Sequence, residues 1–188
     1  MKLLRKVEME SESFQIGDVI AFSLKTGEDV EAMAVEKTDK GTVFCLVDCL
    51  KKEYPLHKDK VYPGYENSTL RKVLNEKIIK TFPDDIVAKM IPFDNGDLLR
   101  IPTEKQMFGC NDYGEDEDDE VQQWEPMKNR RNRIAFQGSK SGVWEWYWLE
   151  NKSNYSATYA AYVHGSGRAG ASGSASAFGV RPRFLLVG

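Results

Sequence analysis

Histidine and cysteine are scarce in this chain, and most site chemistry that depends on them is excluded. The two histidines are His57 and His164. Neither has a cysteine or carboxylate at metal-ligand spacing, so the sequence offers no metal site and implies no cofactor. His57 stands in a polar Leu-His-Lys-Asp context and reads as exposed. The cysteines are Cys45, Cys49 and Cys110, an odd count that forms no complete disulfide framework. In a strand, Cys45 and Cys49 would sit about 13 Å apart on one face, too far to bridge, so they read as small buried apolar residues. No glycine-rich loop ends in Lys-Ser/Thr, and no nucleophile stands beside a base. These absences speak against an enzyme. Long apolar runs are also lacking. The lead Met1 to Ser13 turns charged after Leu4, so the expectation is synthesis in the cytoplasm without a signal peptide, and no membrane insertion. A net charge of -3 argues against a nucleic-acid partner.

A second absence is local. Residues 154–178 contain no Lys, Glu, Gln, Met or Trp, although Lys and Glu are abundant elsewhere. Such a Gly/Ser/Ala-rich stretch could be a linker. Linkers seldom hold aromatics, however, and this one carries Tyr155, Tyr159, Tyr162 and Phe178. It is also flanked by the two most strand-like sequences in the chain. Before it, Trp144, Trp146 and Trp148 alternate with Glu145 and Tyr147 and predict one strand to Leu149 with an aromatic face, Trp146 being largely buried. After it, Gly179 to Val187 reads as a buried strand. Tyrosines among small adaptable residues on a rigid frame have the composition of a binding surface.

The rest of the chain reads as one α+β domain. Residues 1–13 form a charged, flexible lead. Phe14–Ala21 reads as a strand with a turn at Gly17-Asp18. Val30–Val35 and Thr42–Leu50 continue an antiparallel meander, with Thr26-Gly27-Glu28 as a turn. A helix starts at Asn67 or Ser68 with Leu70, Val73, Leu74 and Ile78 on one face, and Pro83 stops it. Asp84 would cap a shorter helix bearing Ile86, Val87 and Met90. Leu98–Ile101 reads as a short strand. Thr103 and Gln106 fit a capping box, with Gly109 just past the helix end. The acidic run Glu115–Glu120 lacks the calcium-loop pattern and reads as a solvated, mobile loop. Lys128, Arg130, Arg131 and Arg133 read as a surface strand edge.

The aromatic WYWL strand (Trp146–Leu149), the Tyr-studded small-residue segment and the GVRP ending (Gly179–Pro182) together resemble the variable proteins of diversity-generating retroelements. They also resemble an uncharacterised family of bacterial and phage domains. NSTLRKVLN (Asn67–Asn75) and LLRIPTEKQMFG (Leu98–Gly109) match the same pattern, so the resemblance spans residues 14–188. It implies a C-type-lectin-like fold, related to formylglycine-generating enzymes, with short antiparallel strands and two or three helices. In those retroelements adenines of a template copy are mutagenised. Asn codons then scatter to Tyr, Ser, Ala, Gly, Arg, His, Phe and others, but never to Lys, Glu, Gln, Met or Trp. Glu150-Asn151 departs from the Arg-Ser often found after the aromatic strand. Formylglycine-generating relatives need cysteines late in the domain, and none follows Cys110 here.

The resemblance implies a ligand-binding, receptor-recognition protein with a display segment over residues 151–178. Its display residues would be Tyr155, Tyr159, Tyr162, His164, Ser166, Arg168, Ser172, Ser176 and Phe178. Alignment backwards from GVRP adds Gly170, Ala171 and Gly173. Trp144, Trp146, Trp148, Val163, Val180, Phe184 and Leu186 would form the frame. The partner would be a protein or glycan on another cell surface, an oligomer is allowed, and a phage protein would be virion-associated. The alternatives are a structural or assembly domain of a phage or surface protein, and an enzyme on the same fold.

Overall fold

The computed structural model describes residues 13–138 and 142–187. The charged lead, apart from Ser13, lies outside the described residues. The chain opens with an antiparallel meander: β1 (Val19–Ser23), β2 (Asp29–Lys37) and β3 (Thr42–Leu46). The first strand begins later than the sequence suggests, because a turn at Gly17, at φ 93, occupies the space before it. A bulge between Ala34 and Glu36 lets consecutive Ala34 and Val35 both be buried.

After the short strand β4 (Tyr54–Pro55), the main helical segment begins at α1 (Thr69–Val73). Ser68 Oγ accepts from Arg71 N at 3.1 Å, which satisfies one of the free amides of the first turn. The helix then widens into a π turn over Leu74–Ile78 and tightens over Ile79–Thr81 before Pro83. Leu70 and Leu74 are fully buried, each worth about 1.5–3 kcal/mol. A single turn, α2 (Asp84–Val87), follows. Its cap position is filled by extended Pro83, so Asp84 caps nothing and instead pairs with Lys25 at 2.6 Å. The strand β5 (Met90–Ile91) comes next.

Leu98–Ile101 is not a strand. Asn75 Oδ1 accepts from Leu98 N and Leu99 N, and Asn75 Nδ2 donates to Leu99 O, so a side chain takes the place of a sheet partner. Only Arg100 makes an isolated bridge, to Arg183. The helix α3 (Glu104–Phe108) has the expected capping box between Thr103 and Gln106, and Gly109 ends it at φ 80. The arginine cluster is a correction. It forms two 3-10 turns, Glu125–Lys128 and Arg130–Arg133, because Asn129 Oδ1 caps the second by accepting from Arg131 N.

The remaining strands are β6 (Ala135–Phe136), β7 (Trp144–Glu145), β8 (Tyr147–Lys152), β9 (Tyr159–Val163), β10 (Ala169–Gly173), β11 (Ala177–Phe178) and β12 (Arg183–Leu186). The Trp144–Leu149 strand of the sequence is therefore broken at Trp146. Glu145 Oε1 accepts from Trp146 N at 2.8 Å, and Trp146 O accepts from Gly179 N at 2.7 Å, while β7 pairs with β6 and β8 with β9. One sheet runs β1-β2-β3-β12-β5 and another β10-β9-β8. An isolated parallel bridge pairs Tyr147 of β8 with Gly179, which lies between β11 and β12.

Both faces of β12 are buried. Phe44, Phe184 and Leu186 face the α1 segment, and Val43, Cys45 and Leu185 face α3, Tyr147 and Leu149. The β8-β9 pair repeats this division, with Trp148 and Ala160 on the first side and Ala161 and Val163 on the second. The architecture is α+β, mostly antiparallel, with few and short helices. No helix among the described residues is long and apolar enough to cross a membrane.

Candidate ligand-binding face

Residues 154–178 fold as an ordered hairpin and its return. The turn between β9 and β10 is closed by His164 N donating to Arg168 O at 2.8 Å and Gly167 N to His164 O at 2.7 Å. Gly167 takes φ +73, a conformation glycine adopts at no steric cost. His164 Nδ1 accepts from Ser166 N at 3.0 Å. Two arginines of the basic cluster hold the turn from outside. Arg130 Nε donates to Ser166 O at 2.7 Å and Arg133 Nε to Gly167 O at 3.2 Å. The cluster thus serves the hairpin.

An aromatic row runs from the core to the surface on the Tyr162 side of this hairpin. Trp148, fully buried, stacks on Phe178 at 4.5 Å between ring centroids. Phe178 meets Trp146 at 5.4 Å and Tyr162 at 5.3 Å, and Trp146 stacks on Tyr162 at 5.4 Å. His164 lies 4.9 Å from Trp146 and 5.8 Å from Trp144. Trp144 ends the row 54% exposed. Of the three tryptophans expected in the core or frame, Trp148 is buried and Trp144 is a surface residue, and the expected burial of Trp146 is corrected to half-buried. The break at Trp146 ends the strict alternation that would have turned all three inward. Tyr147, on the opposite side of β8, is fully buried instead.

The frame below the segment is polar. Glu104, buried in the first turn of α3, accepts from Tyr113 N at 3.1 Å and Gly114 N at 2.6 Å. Its burial pushes its carboxyl up from the ordinary value, and the two amides pull it back. Asn151 Oδ1 accepts from Glu104 N at 2.7 Å, and Asn154 N donates to Tyr113 O at 3.1 Å. The acidic run contributes here. Glu117 Oε1 accepts from Lys105 N, Asn111 Nδ2 and Asn151 Nδ2, so this one member of the run is half-buried and tied to the frame. Its neighbours are exposed, although Glu115 N donates to Lys152 O and Asp118 O accepts from Lys105 Nζ. No group of three or more His, Cys, Asp or Glu side chains suited to a metal exists among the described residues.

The candidate residues separate by exposure. Tyr155 (60%), Tyr159 (42%), Arg168 and Ser176 are exposed. Tyr162, His164, Ser166, Ala171, Ser172, Gly173 and Phe178 are half-buried. Gly170 is buried. It faces Tyr162 across the β9–β10 ladder, and a Cβ there would lie 2.8 Å from the tyrosine ring. Burial also raises the Tyr162 phenol above its ordinary value. His57 is a further correction. Its side chain is 12% exposed because Nδ1 accepts from Thr69 N at 3.2 Å, beside the start of α1. A cleft of about 850 Å³ elsewhere on the described surface is lined by Leu24, Glu28, Leu50, Lys51, Tyr54 and Ile78 among others, and by none of the candidate residues.

Sequence reasoning missed Trp144 as a surface aromatic, and it missed Arg130 and Arg133 as supports of the turn. Gly165 was the available signal for the first. Its ideal Cβ would lie 1.8 Å from the Trp144 ring, so the indole rests on bare backbone.

Comparison with known families gives a match over most of the chain. The model of DUF6273, a domain of unknown function, matches residues 40–188. The chain belongs to this family. The DUF6273 match takes in the aromatic row, the hairpin and its frame, and starts after β1 and β2. No curated protein and no solved structure matches the chain.

Proposed function

We propose that this DUF6273 protein is a ligand-binding, receptor-recognition protein that presents residues 151–178 on a C-type-lectin-like scaffold. The observation that carries the reading is the arrangement of the hairpin. Exposed Tyr155, Tyr159, Arg168 and Ser176 project from a backbone held by Arg130, Arg133, Glu104 and the aromatic row. A fixed backbone has already lost the entropy that binding would otherwise cost. Tyrosine and arginine are the side chains that most often dominate binding energy. The composition of residues 154–178, confined to what mutagenised Asn codons can reach, supports diversification by a retroelement. The target is a protein or glycan on another cell surface.

Two measurements test the reading. Sequencing of the flanking DNA should find a reverse transcriptase gene and a near-copy of the 3′ end of this gene, differing at adenines. Their absence would remove diversification. Binding of the native chain to arrays of glycans and surface proteins should exceed that of a Tyr155→Ser, Tyr159→Ser, Arg168→Ser variant. Equal binding by native and variant chains would remove the assignment of the face.

A further inference from the structure

The second sheet ends in an unpaired edge. In the β9–β10 ladder, His164 N donates to Arg168 O and Ser174 N to Thr158 O. The alternation of an antiparallel pair then makes Gly170–Tyr162 and Ser172–Ala160 the hydrogen-bonded pairs. Ala169, Ala171 and Gly173 must therefore direct their N–H and C=O groups away from β9. The sheet order places no strand on that side of β10. Among the described residues, the N–H and C=O of Ala169 and Ala171 and the N–H of Gly173 have no hydrogen-bond partner; Gly173 O accepts from Ser176 N at 3.0 Å.

Sheet proteins usually blunt such an edge with lysine, proline, a bulge or a covering loop. β10 carries no lysine, proline or bulge, and no strand among the described residues covers it. Its sequence is Ala-Gly-Ala-Ser-Gly, its five residues pair with β9 without a register shift, and no side chain on it is charged. One end of the edge is strongly cationic. Arg168 adjoins Ala169, Arg130 bonds to the same turn, and Arg131 follows Arg130 in the chain. All three are exposed, and none makes an ion pair among the described residues.

We infer that β10 is a docking edge for an extended acidic peptide segment, which adds antiparallel to the sheet and sets its carboxylates against Arg168 and its neighbours. The inference rests on the proposed recognition function and names the partner's chemistry. Outward amides and carbonyls at two-residue spacing match an extended backbone and nothing more compact. Small side chains leave that backbone accessible. In the antiparallel orientation the partner's C-terminal end reaches Arg168, so the arginines fix both the sign and the direction of the bound segment.

The test uses the full chain, labelled for NMR, and synthetic peptides of about ten residues, a length that covers a strand of this size. One peptide alternates threonine and valine and ends in two glutamates. A second ends in two lysines, and a third carries prolines at alternate positions. The glutamate peptide should protect the amides of Ala169, Ala171 and Gly173 from exchange, while those of Gly170 and Ser172 are already protected. The lysine peptide should bind about tenfold more weakly, as expected for reversing a few exposed charge contacts, and the proline peptide should not bind. Arg168→Glu should reverse the preference between the first two. Ala171→Pro removes an outward N–H without breaking a ladder bond. It should abolish peptide binding, and its own melting curve checks that it folds. Protection of the three amides at rising protein concentration without peptide, with a dimer in sedimentation, would assign the edge to a second copy and overturn the inference. So would unprotected amides, or equal binding of the acidic and basic peptides. If edge protection fails while array binding still depends on Tyr155 and Tyr159, the edge is wrong and the recognition reading stands. If the edge binds and the tyrosine variant loses nothing, the display face is wrong.

Discussion

Arg181 Nη1 donates to Tyr147 Oη at 3.0 Å, and both side chains are fully buried. Tyr147 Oη donates in turn to Arg133 O at 2.8 Å. Arg181 also reaches Leu46 O at 2.5 Å and Asn132 O at 2.9 Å. The arginine of the GVRP ending thus ties the end of β3, the arginine-rich turns and the first residue of β8. Through Arg133 it supports the same hairpin turn that carries Arg168.

Removal of either partner should show this coupling. Tyr147→Phe keeps the ring and loses one hydroxyl, so it should cost about 1–3 kcal/mol, the cost of leaving buried polar groups unpaired. Arg181→Met strands two carbonyls and a phenol and should cost about 1–3 kcal/mol for each buried group left unpaired. Urea melts of the singles and the double mutant should give a coupling of at least about 0.5 kcal/mol, as for residues in direct contact. Strictly additive losses would mean that the two side chains act independently.

The glycines of the hairpin should divide by what a methyl group would meet. Gly165→Ala drives a Cβ into the Trp144 ring, and Gly170→Ala drives one against Tyr162. Each should cost about 1–3 kcal/mol, as overpacking does. Trp144→Ala should relieve the first loss, because the obstacle is a surface indole. Gly173 has nothing within 4 Å of its ideal Cβ and does not take a positive φ. Gly173→Ala should be neutral or stabilise by up to about 1 kcal/mol through the unfolded chain. A loss at Gly173 equal to that at Gly165 would contradict the packing argument.

Glu145 should give the domain a mild acid dependence. Burial raises its carboxyl first, the Trp146 amide pulls it back, and nearby Glu53 raises it further. The folded state therefore holds this proton to higher pH than the unfolded chain does. Between the ordinary value near 4.5 and the raised folded value, the folded state binds more protons, so stability falls as pH rises through that window. Glu145→Gln should flatten that part of a plot of melting temperature against pH. An unchanged slope would place its origin in another carboxylate, such as Glu104, which is raised by its own burial.

Local signals were legible in the sequence wherever one residue acts on its own backbone. Ser68, the Thr103–Gln106 box, Gly109 and the turn at Gly27 all fall where side-chain chemistry or glycine freedom placed them. The burial of β12 was legible in apolar Phe184–Leu186, but the strand expected from Gly179 begins only at Arg183, because Arg181 and Pro182 interrupt the run. Features set by distant partners were not legible. Asn75 lies 23 residues before the Leu98 amide it satisfies, and no period reveals that it will replace a strand partner. The break at Trp146 depends on Gly179, which comes 33 residues later. His57 looked exposed because its neighbours are charged, yet the Thr69 amide is its partner. In the candidate site, composition pointed to residues 154–178. It could not show that Trp144 completes the aromatic row, or that Tyr162 closes over Gly170.

The decisive stability test of the display reading concerns the exposed residues alone. Tyr155, Tyr159, Arg168 and Ser176 are open to solvent, and their backbones are fixed by bonds that do not involve these side chains. Tyr155 touches the Tyr113 ring edge-on at 6.3 Å, the only ring contact among the four within the described residues. A combined Tyr155→Ser, Tyr159→Asn, Arg168→Ser, Ser176→Ala variant should lose little stability, because surface changes usually cost within about 0.5 kcal/mol each. Thermal melts should place it within a few degrees of the native chain. Trp148→Ala, by contrast, removes a fully buried indole that stacks on Phe178 and donates to Tyr54 O at 3.0 Å, and should cost about 3–5 kcal/mol. Cooperative unfolding of the four-residue variant would show that these side chains hold the domain together. The segment would then be part of the core, and its tyrosines would serve packing instead of recognition.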